Sequence, residues 1–130
     1  MILHYASQAD YDAMAGKGTQ DGRAWTPDEV AALGEFMGKW TNELVESGEF
    51  VAAHGLAAPV LTRRVAEKDG ETLVTDGPYA ETAEVVVGLT IVDCVSYDRA
   101  TEIAAGLINP DAPGEYVDIR PIAEGIEELT

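Results

Sequence analysis

The chain has a single cysteine, Cys94, among its 130 residues, so it cannot form an internal disulfide. It has no run of about twenty apolar residues, the length that a membrane-spanning helix needs. The N-terminus also lacks a basic segment followed by an apolar stretch and a small-residue cleavage site, which is the pattern of a secretory signal. These absences predict a cytoplasmic protein.

Basic residues are scarce as well. Eight Lys and Arg stand against 24 Asp and Glu, which gives a formal net charge of −16 at pH 7. A field of this sign repels phosphate backbones and anionic bilayers. We therefore expect neither nucleic acid nor a membrane as a partner.

Motifs for metals and cofactors are missing. The two histidines, His4 and His54, stand in no His–His or Cys–His spacing typical of a metal site. The chain has no Gly-rich phosphate loop and no nucleophile elbow. We expect no metal and no cofactor.

The length and the 46% hydrophobic content predict one globular domain, residues 1–122, followed by an acidic tail, residues 123–130. Residues 7–25 contain Gly16, Gly18, Gly22 and several aspartates. This composition predicts a long loop, either a lid over a pocket or a mobile insertion.

The clearest helix begins after Thr26. Thr26 is the expected N-cap, Pro27 the first helical residue and Glu29 the residue that reaches back in a capping box. Apolar residues follow at spacings of three and four, and Gly48 is a suitable left-handed stop. The apolar stripe consists of Val30, Leu33, Met37, Trp40 and Leu44.

Alternating and β-branched segments predict the strands. Residues 85–95 form the longest apolar segment, which we predict to be a central strand buried on both faces. Ser96 caps a second helix that ends at Asn109 and Pro110. The other predicted strands are residues 1–6, 50–56, 60–65, 72–75 and 116–121.

This order predicts an α+β fold, a ferredoxin-like βαββαβ protomer whose antiparallel sheet carries both helices on one face. The other sheet face is also apolar, and we do not expect a large apolar face to remain exposed to solvent. A second copy of the chain is the simplest partner to pack on this face, so we predict a homodimer.

Residues 74–82, with the sequence VTDGPYAET, together with Glu84 and Gly88, resemble the signature of the DGPF branch of the YCII-related family. The resemblance covers residues 1–121 except much of 7–25. It implies a bacterial, dimeric α+β barrel, in a family whose members mostly have no assigned activity.

Three positions within and just after the signature depart from the usual pattern, namely Tyr79, Ala83 and Val87. The YCII proteins proper have a proposed catalytic histidine–aspartate pair. Glu29 and Asn109 occupy the matching positions here, so the implied acid–base pair does not carry over.

Carboxylates around the Gly77–Pro78 turn are the remaining chemical candidates. Asp76, Glu81 and Glu84 are either a cleft of paired acids or turn residues that cap amides or pair with Arg120. His54 is a third weak catalytic candidate beside Asp76 and Glu81. The predicted ligand pocket consists of Tyr5, Glu29, His54, Asp76, Tyr79, Glu81 and Arg120.

Three functions fit these residues. The first is a small-molecule-binding or accessory protein with a cleft at the barrel. The second is a metal-independent lyase, isomerase or dehalogenase-like enzyme acting on a small aromatic or carboxylated metabolite. The third is a structural homodimer that serves a partner protein. Fold alone does not choose among them.

Overall fold

The structure is a computed structural model that describes residues 1–18, 22–112 and 114–129. Two 3-10 turns, Pro59–Leu61 and Ile126–Glu128, supplement the main elements. The strands are β1 (Ile2–Ala6), β2 (Phe50–Gly55), β3 (Arg63–Lys68), β4 (Glu71–Asp76), β5 (Val85–Val92) and β6 (Val117–Ile119). The helices are α1 (Gln8–Met14), α2 (Pro27–Ser47) and α3 (Tyr97–Ala105).

Four strands form the main sheet in the order β2-β5-β1-β6, and every neighbouring pair is antiparallel. If the β3–β4 hairpin is set aside as an insertion, this is the strand order of a ferredoxin-like βαββαβ unit. The predicted α+β fold is confirmed. The hairpin between β2 and β5 forms a separate two-stranded sheet.

The core lies where α2 and α3 cover one face of the main sheet. The Trp40 indole Nε1 donates a hydrogen bond to the Ile103 carbonyl at 2.9 Å, which ties the two helices together. Both helices therefore lie on one face, as predicted. The buried cluster consists of Ile2, Trp40, Leu44, Ile103, Ala104 and Leu107.

The other face of the main sheet carries neither of these helices, and we call it the open face. Ile2 is fully buried in the core and pairs with Thr90 and Ile119. Successive side chains alternate between faces, so the neighbouring set points away from the core. The open face includes Leu3, Tyr5, Leu89, Ile91 and Asp118, and β2 adds Ala52 opposite Ile91 and His54 opposite Leu89.

The predicted loop over residues 7–25 is wrong in its first part, because Gln8–Met14 form α1. A capping box starts this helix: the Ser7 hydroxyl accepts from the Asp10 amide at 3.1 Å, and the Asp10 carboxylate accepts from the Ser7 amide at 2.8 Å. The glycines of this region lie after the helix. The part of the prediction on residues 19–21 lies outside the described residues.

The caps of α2 are confirmed with one correction. Thr26 Oγ1 accepts from the Glu29 amide at 3.2 Å, and Gly48 adopts the left-handed conformation with φ of 78°. The Glu29 carboxylate, however, does not complete the predicted capping box. It makes an ion pair with Arg23 at 2.8 Å.

Several predicted elements are too long. The strand from residue 60 begins at Arg63 because Pro59–Leu61 form a 3-10 turn. The strand over 85–95 ends at Val92, and in the single chain it is covered on one face only. The second helix ends at Ala105 rather than near residue 109, and the last strand is Val117–Ile119.

Among the described residues, no helix is long and apolar enough to cross a membrane.

Candidate ligand site on the open face

Two tyrosines stack at the edge of the open face. The rings of Tyr5 and Tyr116 have centroids 5.4 Å apart and an interplanar angle of 29°. Tyr5 lies in β1, and Tyr116 immediately precedes β6. An offset stack of this kind presents a flat aromatic surface to solvent.

Each tyrosine hydroxyl donates a hydrogen bond to a carboxylate. The Tyr5 hydroxyl donates to Asp118 Oδ2 at 2.8 Å, and the Tyr116 hydroxyl donates to Glu84 Oε2 at 2.8 Å. We call these four residues the tyrosine–carboxylate cluster. Two aromatic rings and two anionic acceptors therefore meet on one exposed surface.

The carboxylates change the acidity of both phenols. The hydrogen bond to Asp118 raises the pKa of Tyr5 above its usual value of 10, and the charge of Arg120 partly opposes this shift. The hydrogen bond to Glu84 likewise raises the pKa of Tyr116. Both tyrosines are therefore protonated hydrogen-bond donors at neutral pH, not bases.

Strand register brings the cluster together. In the β1–β6 ladder Leu3 pairs with Asp118 and His4 with Val117, so the next pair along is Tyr5 with Tyr116. Ala6 pairs with Val85, and Glu84 precedes that residue. The cluster is thus assembled from three strand ends that lie side by side.

The cluster can bind a flat ring with hydrogen-bond donors. An ionised carboxylate offers about four acceptor positions, and each of these two accepts a single hydrogen bond from a tyrosine. Tyr116 is 47% exposed, so its ring is accessible. Two carboxylates with Arg120 nearby give a net charge of −1, which favours a cationic or neutral ligand over an anionic one.

Two of the predicted pocket residues, Tyr5 and Arg120, lie at this cluster. Arg120 is also fixed through its backbone, because its amide donates to the Met1 carbonyl at 2.8 Å. Its effect on the pKa of Tyr5 shows that the guanidinium lies close enough to act on the phenol.

Two other predicted pocket residues, Asp76 and Tyr79, have partners on the hairpin. Asp76 faces Arg63 across the hairpin at 3.4 Å, and the Tyr79 ring lies under the Arg64 guanidinium at 5.6 Å. In the described part of the chain, no hydrogen bond joins Asp76, Glu81 or His54 to another of these three.

Glu29 lies at the start of α2, paired with Arg23. His54 is an exposed residue of the edge strand β2. The Glu81 side chain is exposed, and its backbone carbonyl accepts from the Ala9 amide at 3.0 Å, which ties this loop to α1. The roles predicted for these residues remain predictions.

Tyr116 and Asp118 were not predicted as pocket residues. Glu84 was predicted as one of the carboxylates around the Gly77–Pro78 turn, either in a cleft of paired acids or as a turn residue. The signal for finding them was the pairing of the first strand with the last. Once these strands are antiparallel neighbours with Leu3 opposite Asp118, the two tyrosines must face each other.

Two surface grooves in the described part of the chain lie away from the cluster. One, of about 530 Å³, runs along the solvent side of α2, and a second, of about 450 Å³, lies between α1 and the start of α2. Both are shallow grooves on helix exteriors. Within the described residues, no three His, Cys, Asp or Glu side chains are grouped so as to hold a metal ion.

A family model for the YCII-related domain matches residues 1–124. The chain belongs to the YCII-related family. A relative in this comparison is an uncharacterised protein of Rhizobium meliloti (strain 1021), which is 30% identical over 100 residues, covering 77% of this chain and 81% of the relative. The cluster residues Tyr5, Glu84, Tyr116 and Asp118 all lie inside the YCII-related domain.

The two positions that match the proposed acid–base pair of YCII proteins are engaged in local structure. Glu29 is paired with Arg23, and the Asn109 side-chain oxygen accepts from the Asp111 amide at 2.9 Å. These contacts hold a helix start and a turn. They give this YCII-related chain no imidazole base at either position.

Proposed function

We propose that this YCII-related protein is a cytoplasmic small-molecule-binding homodimer whose ligand sits on the tyrosine–carboxylate cluster, in a cleft between two open faces. The observation that carries the proposal is the stacked pair Tyr5 and Tyr116, with each hydroxyl donating to a carboxylate outside the core. The single cysteine supports the cytoplasmic location, because it cannot form an internal disulfide.

The chemistry of the cluster favours a small aromatic ligand with an amine or hydroxyl group. A ring can stack on the exposed tyrosine, and an N–H or O–H can donate to Glu84 or Asp118. The chain carries −16 at pH 7, so a second copy doubles a field that repels carboxylated ligands.

Binding is better supported than catalysis. A general acid or base works best with a pKa near the operating pH. The pKa values of Tyr5 and Tyr116 are instead raised above 10. Stable donors of this kind hold and orient a ligand.

A second copy on the open face is supported by surface area. The single chain exposes 9220 Å², whereas a compact monomer of 13.8 kDa exposes about 6,600 Å². On two protomers the excess of roughly 2,600 Å² amounts to about 5,200 Å², the upper end of the total area that obligate dimers bury. Half-buried Leu3, Leu89 and Ile91 on the open face supply an apolar part of it.

The DGPF branch within the family is part of the proposal. Asp76 is the last residue of β4, and Gly77 and Pro78 follow it. Gly77 has a φ of 55°, a conformation that glycine adopts without strain. Its amide donates to the Thr62 carbonyl at 2.9 Å, which closes the base of the hairpin. The signature thus supports a structural role for this turn.

A matched pair of probes tests the ligand class. Tyramine and 4-hydroxyphenylacetate share a phenol but carry opposite charges. By calorimetry we expect tyramine to bind at least about tenfold more tightly, a difference of about 1.4 kcal/mol. Equal affinities, or tighter binding of the acid, would contradict the proposed ligand class.

Two variants test the position of the site. Glu84→Gln keeps the shape of the side chain but removes its charge, and we expect it to weaken tyramine binding by about tenfold. Asp76→Asn is the matched control, because its carboxylate pairs with Arg63 on the hairpin, outside the cluster. If both variants bind like the wild type, the site lies elsewhere.

A further inference from the structure

A single row of residues crosses the open face from one edge of the main sheet to the other. His54 in β2 pairs with Leu89 in β5. Leu89 also pairs with Leu3 in β1, and Leu3 pairs with Asp118 in β6. Directly opposed residues of neighbouring strands lie on the same face, so all four side chains belong to the open face. We call these four residues the cross-sheet row.

The two ends of the cross-sheet row have complementary chemistry. Asp118 is an acceptor of the tyrosine–carboxylate cluster, where its carboxylate accepts from the Tyr5 hydroxyl at 2.8 Å. His54 at the other end is exposed, and in the part of the chain that the structure describes its imidazole has no hydrogen-bond or ion-pair partner. An imidazole keeps at least one N–H donor in either protonation state, so it is a suitable partner for a carboxylate.

His54 and Asp118 cannot meet within one chain. Three strand spacings of about 4.8 Å separate the edge strands β2 and β6, so the two residues lie roughly 14 Å apart. A side-chain hydrogen bond joins atoms about 2.7 to 3.2 Å apart. A contact between the two ends of the row therefore requires a second copy of the chain.

The distribution of charge favours one orientation of that second copy. The strands β1, β2 and β5 contain no Asp, Glu, Lys or Arg, whereas β6 contains Asp118. If β6 packed on β6, the two Asp118 carboxylates would face each other where water is excluded, and like charges repel most strongly there. If β6 packs on β2, each carboxylate instead faces an uncharged strand that carries His54.

A two-fold axis parallel to the strands produces the favoured orientation. It reverses the strand order but keeps the position along each strand, so the row of one copy lies on the reversed row of the other. The half-buried Leu3 and Leu89 then pack against the same pair of the partner. Packed sheets lie about 10 Å apart, a gap that side chains of both inner faces fill.

We propose that the partner's His54 donates a hydrogen bond to Asp118 across the dimer, so that the β2 edge of each copy completes the tyrosine–carboxylate cluster of the other. This inference rests on the homodimer and the cleft of the proposed function, and it adds the orientation of the partner and a further residue of the site. The ligand then lies between the Tyr5–Tyr116 stack and β2 of the partner.

Exchange of the two end residues tests this contact by sedimentation. His54→Asp places a carboxylate opposite Asp118, and we expect the dimer dissociation constant to rise at least about tenfold. The double variant His54→Asp, Asp118→His again has one histidine facing one aspartate, and its constant should return to within about threefold of the wild type. A double variant as weak as His54→Asp would overturn the proposal.

Ala53→Asp is the matched control for the added charge. It changes the net charge by a similar amount on the same strand, but Ala53 pairs with Thr90 and therefore lies on the other sheet face. We expect its dissociation constant to stay within about twofold of the wild type. An equal weakening by Ala53→Asp and His54→Asp would show general charge repulsion and would overturn the contact.

Cross-linking distinguishes the two orientations. In a Cys94→Ala background, His54→Cys combined with Asp118→Cys puts one thiol at each end of the row, and a short bis-maleimide should link two copies. Either cysteine alone should give little linked dimer, because equivalent ends of the row lie at opposite edges of the dimer. Efficient linking of Asp118→Cys alone would place β6 on β6 and overturn the proposal, as would a combined variant that does not link.

Tyramine binding separates this inference from the proposed function. If tyramine binds and Glu84→Gln weakens it, while the exchanged variant fails to restore the dimer, the ligand site stands and the His54 contact is wrong. If the exchange restores the dimer but tyramine does not bind, the orientation of the partner stands and the proposed ligand class is wrong. A wild-type chain that stays monomeric contradicts both.

Discussion

The Tyr5 side chain takes part in two kinds of contact, an aromatic stack and a hydrogen bond to a carboxylate. Its ring stacks on Tyr116, and its hydroxyl donates to Asp118, so a change at Tyr5 affects both. Each tyrosine hydroxyl donates to a carboxylate oxygen, and hydrogen bonds to carboxylates are stronger than those between neutral groups. The cluster is therefore an ordered surface before any ligand arrives, which lowers the entropic cost of binding.

An alkaline titration tests these hydrogen bonds. The folded pKa values of Tyr5 and Tyr116 lie above the unfolded value of 10, so the stability that the hydrogen bonds contribute is full below pH 10 and is lost as pH rises through the folded pKa. We expect phenolate absorbance at 295 nm to show a component that ionises above pH 10. The double variant Tyr5→Phe, Tyr116→Phe should reduce this component to the contribution of Tyr11, whose pKa is raised by burial.

Tyr97→Phe is the control for that titration. The Tyr97 hydroxyl donates to the Ile119 carbonyl at 3.3 Å and has no carboxylate partner. This variant should keep the late component. A double variant whose late component is as large as that of the wild type would contradict the hydrogen bonds to Asp118 and Glu84 as its cause.

At the scale of elements, short-range sequence patterns correctly predicted the features that depend on neighbouring residues, such as helix caps and strands. The Thr26 cap, the Gly48 stop and the alternating strands lie where short-range patterns place them. The helix α1 was missed because three glycines after it outweighed the Ser7–Asp10 capping box at its start. The Tyr5–Tyr116 pair was missed because it depends on the register of strands at opposite ends of the chain, which no local pattern encodes.

The cap of α2 gives a stability prediction. Thr26→Ala removes the hydroxyl that accepts from the Glu29 amide and should lower the free energy of unfolding by about 1 kcal/mol. Urea denaturation measures this. Thr41→Ala makes the same replacement inside α2, where alanine is the better helix former, and should be neutral or stabilising. An equal loss in both variants would mean that the cap contributes nothing.

The Glu49–Arg99 ion pair links the end of α2 to α3 and predicts acid sensitivity. Arg99 makes two hydrogen bonds to the Glu49 carboxylate, at 2.8 and 2.9 Å. Together with the Ser47 hydroxyl they lower the pKa of Glu49 from 4.5 to about 2. The stability from this pair is thus full above pH 4.5 and is lost as pH falls toward 2.

Glu49→Gln should therefore be less stable than the wild type at pH 7, and the difference should shrink as pH falls from 4.5 to 2. Thermal unfolding across this range measures it. Glu102→Gln is the control, because Glu102 contacts the same Arg99 at 3.2 Å but its side chain is 70% exposed. An exposed pair contributes little, so this variant should follow the wild type. A constant difference for Glu49→Gln at all pH values would contradict the low pKa.

At the scale of the whole molecule, the single chain buries few large side chains. Among the described residues, the buried cluster between one sheet face and the two helices has six members. Val65, Leu73 and Val74 of the β3–β4 hairpin are exposed, and the half-buried residues of the open face have no covering layer. Burial of apolar area is the main favourable term in folding. We therefore expect folding and association to be coupled.

Coupling predicts a concentration-dependent stability. A dimer that dissociates as it unfolds gains about 1.4 kcal/mol of apparent stability for each tenfold rise in protein concentration. The urea midpoint should rise accordingly between micromolar and hundred-micromolar samples. Light scattering should give a mass of about twice the 13.8 kDa of one chain.

Leu89→Asp and Val95→Asp decide whether the open face is responsible for this coupling. Both replace an apolar residue in the same region by aspartate, but Leu89 pairs with Leu3 on the open face, while Val95 is 93% exposed beyond the end of β5. Because an aspartate on the open face would have to be buried without a partner, Leu89→Asp should remove the concentration dependence and give a monomer mass. Val95→Asp should keep both wild-type properties. A wild-type chain that sediments as a monomer with a constant urea midpoint would contradict both the homodimer and the cleft between two open faces.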